Sequence, residues 1–245
     1  MRLRFLGTSD SAGMPVHNCM CTGCMEYRQN GRKNYPTSAI IEGEDGVIML
    51  DAGYDEACWH LDGRVIHGIF LTHFHADHVY GLLRLRFSEE TIPVFHPYDE
   101  KGFAKLYEQP HRLRFTCNTP FIPLHVNGIT LTPIPLKHSK NTTGYLIETA
   151  EKRVAYLTDC AGIPKESMAF LQLKPLDAVF IDACYAPDFV GGNHLNFEQA
   201  GVFIKALGAK EGFLMHECHQ TASYVLENKP MLPYPYIPEG FSYRL

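Results

Sequence analysis

The chain has 245 residues, of which 45% are hydrophobic and 20% are charged, and its formal net charge is -5. This length and composition allow a sizeable core and exclude an intrinsically disordered protein, while the acidic balance excludes a general attraction to nucleic-acid phosphates. No apolar run is long enough to cross a membrane and no signal-peptide core is present. We therefore expect a cytoplasmic protein without a membrane or nucleic-acid partner.

Short apolar runs rich in Val, Ile, Leu and Phe predict strands, because each is bounded by Gly, Pro or polar residues. In chain order they cover 2–6, 38–42, 46–50, 65–71, 92–96, 129–134, 143–148, 153–158, 177–183 and 211–216. Helices are predicted at 77–87, 99–108, 164–172 and 196–207. Strands with interspersed helices predict an α/β fold, and we expect a single domain over residues 1–245.

Two segments outside these elements are predicted to be irregular. The Gly-rich stretch "DFVGGNH" at 188–194 is typical of a flexible active-site loop. The tail 225–241 contains four prolines and is expected to run extended over the surface.

Three of the eight cysteines, Cys19, Cys21 and Cys24, cluster near the N-terminus. The C-x-C-x-x-C spacing supplies three thiolates, one ligand short of a tetrahedral zinc site. In a reducing compartment such a cluster indicates metal binding more often than disulfides or ordinary buried thiols. We predict a structural zinc loop at 17–26 whose fourth ligand comes from elsewhere in the chain.

The strongest chemical signal is "HFHADH" at 73–78, directly after a predicted strand. Four metal-ligand residue types in six positions are hard to explain by packing, because buried imidazoles and carboxylates need partners. In an extended chain His73 and His75 point the same way and can share one ion, whereas Asp77 and His78 lie past the bend and can reach another. The spacing favours two metal ions over one.

Further candidate ligands stand where predicted strands end: His138, Asp159 and His216. Functional groups in α/β sheets usually lie at such positions. Each residue alone is better interpreted as an ordinary hydrogen-bonded surface residue, but in combination with 73–78 the metal interpretation is favoured. Imidazole and carboxylate ligands admit Zn, Mn, Fe or Ni without choosing among them.

The motifs "LDAG", "THFHADH", "PLKHS", "LTDCAG" and "LMHECH", spread over 50–219, resemble those of the metallo-β-lactamase superfamily. The resemblance implies a four-layer αββα sandwich with two mixed β-sheets and hydrolysis assisted by two metal ions. It implies a first metal bound by His73, His75, His138 and Asp159, and a second bound by Asp77, His78, Asp159 and His216. Asp51 would orient ligands rather than bind metal.

Together with the cysteines, the pattern resembles the PhnP-type phosphodiesterases of the carbon–phosphorus lyase pathway, within the same superfamily. The resemblance implies that His219 completes the structural zinc site and that the chain forms a homodimer. It also implies hydrolysis of 5-phospho-α-D-ribosyl 1,2-cyclic phosphate to α-D-ribose 1,5-bisphosphate in phosphonate catabolism. For the two active-site divalent metal ions we expect manganese first, with zinc, nickel or iron as alternatives.

The same resemblance makes Asp77 and His194 the candidate catalytic residues, with His194 as proton donor to the leaving oxygen. By spacing alone, His194 is as well explained as a solvated loop residue. Candidate donors to the substrate's 5-phosphate flank His138, and their ordinary alternative is also a solvated loop. These candidates are Lys137, Ser139, Lys140 and Thr143.

Several alternative functions remain open, including other phosphodiesterases, thioester hydrolases and lactonases of the same fold. A tRNA 3′-end endonuclease of the same superfamily shares the histidine motif, although no long insertion for a tRNA-binding arm is present and the chain is acidic. A non-enzymatic metal-binding module would explain the cysteines, but the histidine set leaves coordination open for water, as catalytic sites do.

Overall fold

The computed structural model of the chain describes residues 1–189 and 192–245. Val190 and Gly191, part of the predicted loop 188–194, lie outside the described residues. No helix in the described ranges combines the length and apolar character needed to cross a membrane.

Strands and helices are interspersed along the described chain. In chain order the strands are β1 (Arg2–Gly7), β2 (Ser38–Glu42), β3 (Val47–Leu50), β4 (Ile66–Phe70), β5 (Ile92–His96), β6 (Leu113–Cys117), β7 (Leu124–Val126), β8 (Ile129–Leu136), β9 (Thr142–Glu148), β10 (Arg153–Leu157), β11 (Ala178–Asp182), β12 (Glu211–Met215) and β13 (Ser242–Arg244). The α-helices are α1 (Thr22–Gln29), α2 (Ala57–His60), α3 (Leu82–Leu85), α4 (Ala104–Glu108), α5 (Lys165–Leu171), α6 (Phe197–Leu207) and α7 (His219–Asn228).

The strands form two mixed sheets. The first has the order β13-β1-β2-β3-β4-β5-β6, antiparallel from β13 to β3 and parallel from β3 to β6. The second has the order β12-β11-β10-β9-β8-β7, parallel from β12 to β10 and antiparallel beyond. The parallel part of each sheet therefore brings several carboxyl-terminal strand ends to one edge, where functional groups usually lie.

Large apolar side chains from both sheets meet in a shared core that includes Phe5, Phe70, Tyr145, Tyr156 and Phe180. A second buried cluster joins the outer face of the β11–β12 sheet to α5 and α6, and a third joins the outer face of the β3–β4 sheet to α2, α3 and α4. Because each sheet is covered on both faces, its central strands are nearly continuous apolar runs. The predicted αββα sandwich with two mixed sheets is confirmed.

All the predicted strands are present, whereas β6, β7 and β13 were not predicted. The predicted helix 77–87 is instead a 3-10 turn (Ala76–His78) followed by the single turn α3. The expected zinc loop 17–26 is wrong in its second half, because Cys24 lies in the first turn of α1. The expected extended tail begins only after α7, which ends at Asn228.

The helices α1 and α7 were missed because they stabilise each other across the chain. Gly23 brings α1 close to α7: a Cβ atom there would lie 3.1 Å from Ala222 Cβ, from the His219 carbonyl oxygen and from the Ser223 nitrogen. The Gly23 N–H also donates to Ser223 Oγ at 2.9 Å. Such long-range packing leaves little periodic signal in either segment.

Candidate metal centre

Polar side chains follow the carboxyl ends of strands from both sheets. Asp51 and His73 follow β3 and β4 of the first sheet, while His138, Asp159 and His216 follow β8, β10 and β12 of the second. All five are brought together at one edge of the sandwich, where the two sheets meet.

The first cluster consists of His73, His75, His138 and Asp159, whose metal-ligand atoms all lie within 4.8 Å of one another. His75 Nδ1 lies 2.8 Å from His73 Nε2 and 3.2 Å from His138 Nε2. Asp159 Oδ2 lies 3.8 Å from His73 Nε2. The structure thus brings together the four residues predicted to bind the first metal ion.

The second cluster consists of His78, Asp159 and His216, with Asp77 beside it. Asp159 Oδ2 lies 3.1 Å from His78 Nε2, and Asp159 Oδ1 lies 3.3 Å from His216 Nδ1. Asp77 Oδ2 lies 3.5 Å from His78 Nε2. Asp159 therefore belongs to both clusters, in the position predicted for a shared ligand.

Groups behind the ligands hold them in place. Asp51 Oδ2 lies 3.0 Å from His78 Nδ1, and the Thr72 backbone N–H donates to Asp51 Oδ1 at 2.8 Å. Thr37 Oγ1 lies 2.8 Å from His216 Nδ1. Asp51 thus contacts a ligand from behind, which fixes the orientation of the His78 ring.

The backbone of His216 has φ 65, in the left-handed region that side chains other than glycine rarely adopt. Its N–H donates to the Thr8 carbonyl oxygen at 2.7 Å, which holds this conformation. The turn sends the chain from β12 into α7 within three residues. It places His216 in the second cluster and His219 with the cysteines.

The cysteine cluster, formed by Cys19, Cys21, Cys24 and His219, also has its ligand atoms within 4.8 Å of one another. Cys19 Sγ and Cys21 Sγ each lie 3.4 Å from His219 Nδ1. Three sulfurs and one imidazole nitrogen are a common ligand set of structural zinc. The structure therefore supplies, in His219, the position predicted for the fourth ligand.

The first cluster fits a cation better than it fits hydrogen bonds alone. His75 Nδ1 contacts two imidazole nitrogens, but it can share a proton with only one of them. Burial lowers the pKa values of His73, His75 and His138, so these rings keep the lone pairs that a metal ion needs.

The second cluster fits a cation that displaces a proton. Burial acts to lower the pKa of His78, but the Asp159 and Asp51 carboxylates raise it well above its usual value. Burial likewise acts to raise the pKa of Asp159, yet His216 and His78 hold it well below its usual range. An ionised carboxylate beside imidazoles is a ligand set for divalent metals, whose binding releases the proton of such a histidine.

His194 lies next to the first and second clusters. Its Nδ1 is 2.7 Å from Asp182 Oδ2, and its ring stacks on His216 with 4.8 Å between centroids. Burial acts to lower the pKa of His194, but the Asp182 carboxylate raises it to about 9. Asp182 was not predicted, although it ends a buried strand much as Asp159 follows one, which was the signal that could have identified it.

A cavity of about 770 Å³ opens beside the clusters, and His75, Asp77, Asp159, His194 and His216 are part of its wall. Other parts of the wall carry carboxylates and aromatic rings. These are Asp10, Asp188, Tyr185, Phe189 and Tyr224. None of the described residues in the wall is Lys or Arg.

The predicted phosphate donors differ in position. Ser139 Oγ lies 3.4 Å from His75 Nε2, and Lys137 is exposed. The Lys140 ammonium is 2.8 Å from Asp99 Oδ2, and Thr143 is buried within β9. The structure therefore brings Ser139 to the site, while Lys140 is held by Asp99 and Thr143 has too little exposure to meet a ligand.

Comparison with known proteins adds the family. The family model described as "Beta-lactamase superfamily domain" matches residues 47–216. The chain belongs to the beta-lactamase superfamily. The matched range contains all the residues of the first and second clusters.

Individual relatives are more distant. An octanoyltransferase of Porphyromonas gingivalis is 27% identical over 266 residues, covering 98% of this chain and 50% of the relative, so the chain spans half of that protein's length. Coenzyme PQQ synthesis protein B of Methylorubrum extorquens is 28% identical over 224 residues, covering 77% of this chain and 74% of the relative. The crystal structure of a diphosphatase from the PhnP family superposes with a TM-score of 0.81 at 22% identity, covering 99% and 97% of the two chains. This last likeness shows a shared fold.

Proposed function

We propose that the chain is a dinuclear metal-dependent phosphodiesterase. The observation that carries the proposal is Asp159, whose two carboxylate oxygens face His78 and His216 at 3.1 and 3.3 Å while it also belongs to the first cluster. One carboxylate shared by two ligand sets suits a pair of cations held side by side.

In this proposal the first cluster holds one divalent cation, and the second cluster with Asp77 holds the other. Bound cations would supply Lewis acidity, which activates water near neutral pH and balances charge on a phosphoryl group. The chain's own part is orientation: Asp51 and Thr72 fix His78, Thr37 fixes His216, and the Asn193 carbonyl oxygen, 2.8 Å from His138 Nδ1, fixes His138.

His194 would donate a proton to the leaving oxygen. Because its Nδ1 is bonded to Asp182, the other ring nitrogen, Nε2, would carry the transferred proton. Asp182 is well suited to hold the ring, since its carboxylate also accepts from the backbone N–H groups of Cys160 and Cys184 at 2.8 and 3.1 Å.

The first substrate to test is 5-phospho-α-D-ribosyl 1,2-cyclic phosphate, with α-D-ribose 1,5-bisphosphate as product. Its support is the resemblance of the cysteine and histidine motifs to PhnP-type enzymes. A homodimer and a role in phosphonate catabolism rest on the same resemblance and stay predictions.

The cavity wall favours a second candidate substrate, a nucleoside phosphodiester. The rings of Tyr185 and Phe189 lie 4.3 Å apart between centroids, with Tyr224 in the same wall, and such surfaces stack on nucleobases. Asp10 and Asp188 can accept hydrogen bonds from a base or sugar but would repel a second phosphate.

Bis(p-nitrophenyl) phosphate tests the chemistry. We expect turnover by protein reconstituted with Mn, Zn or Ni, loss of turnover in Asp159→Asn, and wild-type turnover in Asp45→Asn, which removes an exposed carboxylate away from the site. No hydrolysis above the blank with any of these metals would contradict the phosphodiesterase proposal.

Product analysis then separates the substrates. The ribosyl cyclic phosphate, a nucleoside 2′,3′-cyclic phosphate and a tRNA precursor are supplied at equal concentration. Preferential formation of ribose 1,5-bisphosphate supports the first candidate, and ribose 2,5-bisphosphate would overturn its regiochemistry. Preferential cleavage of the nucleoside diester supports the second candidate, and trimming of the precursor would favour the endonuclease alternative.

A further inference from the structure

Two cysteines outside all three predicted ligand sets lie in the wall of the cavity. Cys184 follows β11 and Cys218 follows β12, and both side chains are buried at 2% and 4% relative exposure. The Cys218 N–H donates to the Cys184 carbonyl oxygen at 3.4 Å, so the parallel strands carry the two residues out side by side. Both are free thiols.

Asp10 brings a carboxylate to the same place from the loop after β1. A carboxylate oxygen of Asp10 and the sulfurs of Cys184 and Cys218 all lie within 4.8 Å of one another. The carboxylate accepts from the Ala12 backbone N–H at 3.2 Å, and the Asp10 N–H donates to the Glu217 carbonyl oxygen at 3.3 Å. Both contacts hold Asp10 against the thiols without occupying all its lone pairs.

We propose that Asp10, Cys184 and Cys218 form a fourth cation site, specific for a thiophilic divalent ion such as zinc or cadmium. Two thiolates and one carboxylate are zinc ligands, and soft thiolates select against manganese. All three residues line the cavity, which leaves a fourth position open to water or to a ligand. The described residues of the wall include neither Lys nor Arg.

The site lies beside the proposed catalytic groups. A Cys184 sulfur, a His194 nitrogen and a His216 nitrogen also lie within 4.8 Å of one another. An ion bound by Cys184 would therefore stand next to the proposed proton donor and narrow the cavity. Zinc in excess of the other sites should inhibit hydrolysis, whereas manganese in the same excess should not.

Metal stoichiometry tests the site independently of turnover. Reduced full-length protein is dialysed against cadmium at several free concentrations, and bound cadmium per chain is measured by mass spectrometry. We expect Cys184→Ser/Cys218→Ser to bind one cadmium ion fewer than wild type. Cys58→Ser/Cys117→Ser, which removes two thiols elsewhere, should bind as many as wild type. Equal binding by wild type and Cys184→Ser/Cys218→Ser would overturn the proposal.

A second measurement needs no loss of thiols. In wild-type protein, added zinc should slow the formation of mixed disulfides between a small thiosulfonate reagent and Cys184 and Cys218, located by peptide mapping. Asp10→Asn should weaken this protection at least about tenfold in zinc concentration. Unchanged labelling with saturating zinc, or a Cys184–Cys218 disulfide in protein kept under reductant, would overturn the site.

Discussion

The cysteine cluster and the second cluster take ligands from positions only three residues apart, His219 and His216, yet they are built differently. The cysteine cluster is held between α1 and α7, and none of its residues lies in the cavity wall. In the second cluster, Asp159 and His216 both line that wall. A structural metal site is filled by its side-chain ligands, whereas a catalytic site leaves one position for water, so loss of stability and loss of turnover should be separable by mutating His219 and His216.

The largest expected effect comes from mutation of the second cluster. His216→Ala should reduce turnover of bis(p-nitrophenyl) phosphate by about 10³-fold or more, since losing one cation's charge stabilisation removes about 4 kcal/mol. The thermal midpoint should change less than in His219→Ala. An equal loss of bound metal and of stability in both variants would show that one site, not two, uses this segment.

In the cysteine cluster, mutation should reduce stability more than turnover. His219→Ala removes a ligand of the cysteine cluster and should lower the free energy of unfolding by about 3 kcal/mol, or roughly 6–12 °C in Tm, because loss of a structural metal is among the severe mutational effects. Zinc per chain should fall by one, measured beside Cys24→Ser. Unchanged zinc content in both variants would remove the cysteine cluster as a zinc site.

Mutation of His194 tests whether this residue, beside the second cluster, donates a proton or only supports the structure. His194→Asn should reduce hydrolysis of a diester with an alkoxide leaving group by about 10²-fold, the lower range for a lost proton donor. Bis(p-nitrophenyl) phosphate should be affected much less, because p-nitrophenolate leaves without a proton.

His125→Asn, at an exposed position in β7, serves as control for His194→Asn. Asp182→Asn should reproduce the same leaving-group dependence more weakly, since the proton donor stays in place while its orientation and its raised pKa are disturbed. An equal loss with both substrates would mean that His194 acts through structure and not through proton donation.

The smallest expected effect tests the contact between α1 and α7, the two helices that carry Cys24 and His219. Gly23→Ala places a methyl group 3.1 Å from atoms of α7 and should lower the free energy of unfolding by about 1 kcal/mol. Gly43→Ala, where the nearest atom is 3.5 Å away, provides the control. Denaturant unfolding with and without zinc measures both. A larger effect of the control would contradict the proposed tight packing of α1 on α7.

Residues with local signals could be predicted from the sequence. The run 73–78 carries its own spacing, and His138, Asp159 and His216 stand where apolar runs end. The central strands could be predicted for the same reason, because burial on both faces gives continuous apolar runs.

Features that depend on distant contacts could not be predicted from pattern alone. The helices α1 and α7 depend on each other. The contact of Asp182 with His194 joins a strand end to a loop, and Lys140 forms an ion pair with Asp99, forty-one residues away in the sequence. The left-handed turn at His216 leaves no pattern in the sequence either, since its cause is a hydrogen bond to Thr8.

That hydrogen bond has a consequence for the order in which the protein can form during synthesis. Thr8, near the start of the chain, accepts the hydrogen bond from His216. The cysteine cluster likewise needs His219 in addition to its three thiols, Cys19, Cys21 and Cys24. The second cluster cannot form until His216 has been synthesised, and the cysteine cluster cannot form until His219 has been synthesised. Both residues follow Thr8 and Cys19 by about 200 residues, at synthesis rates of about 5–20 residues per second. For roughly ten seconds or more, the nascent chain would hold the three thiols without His219.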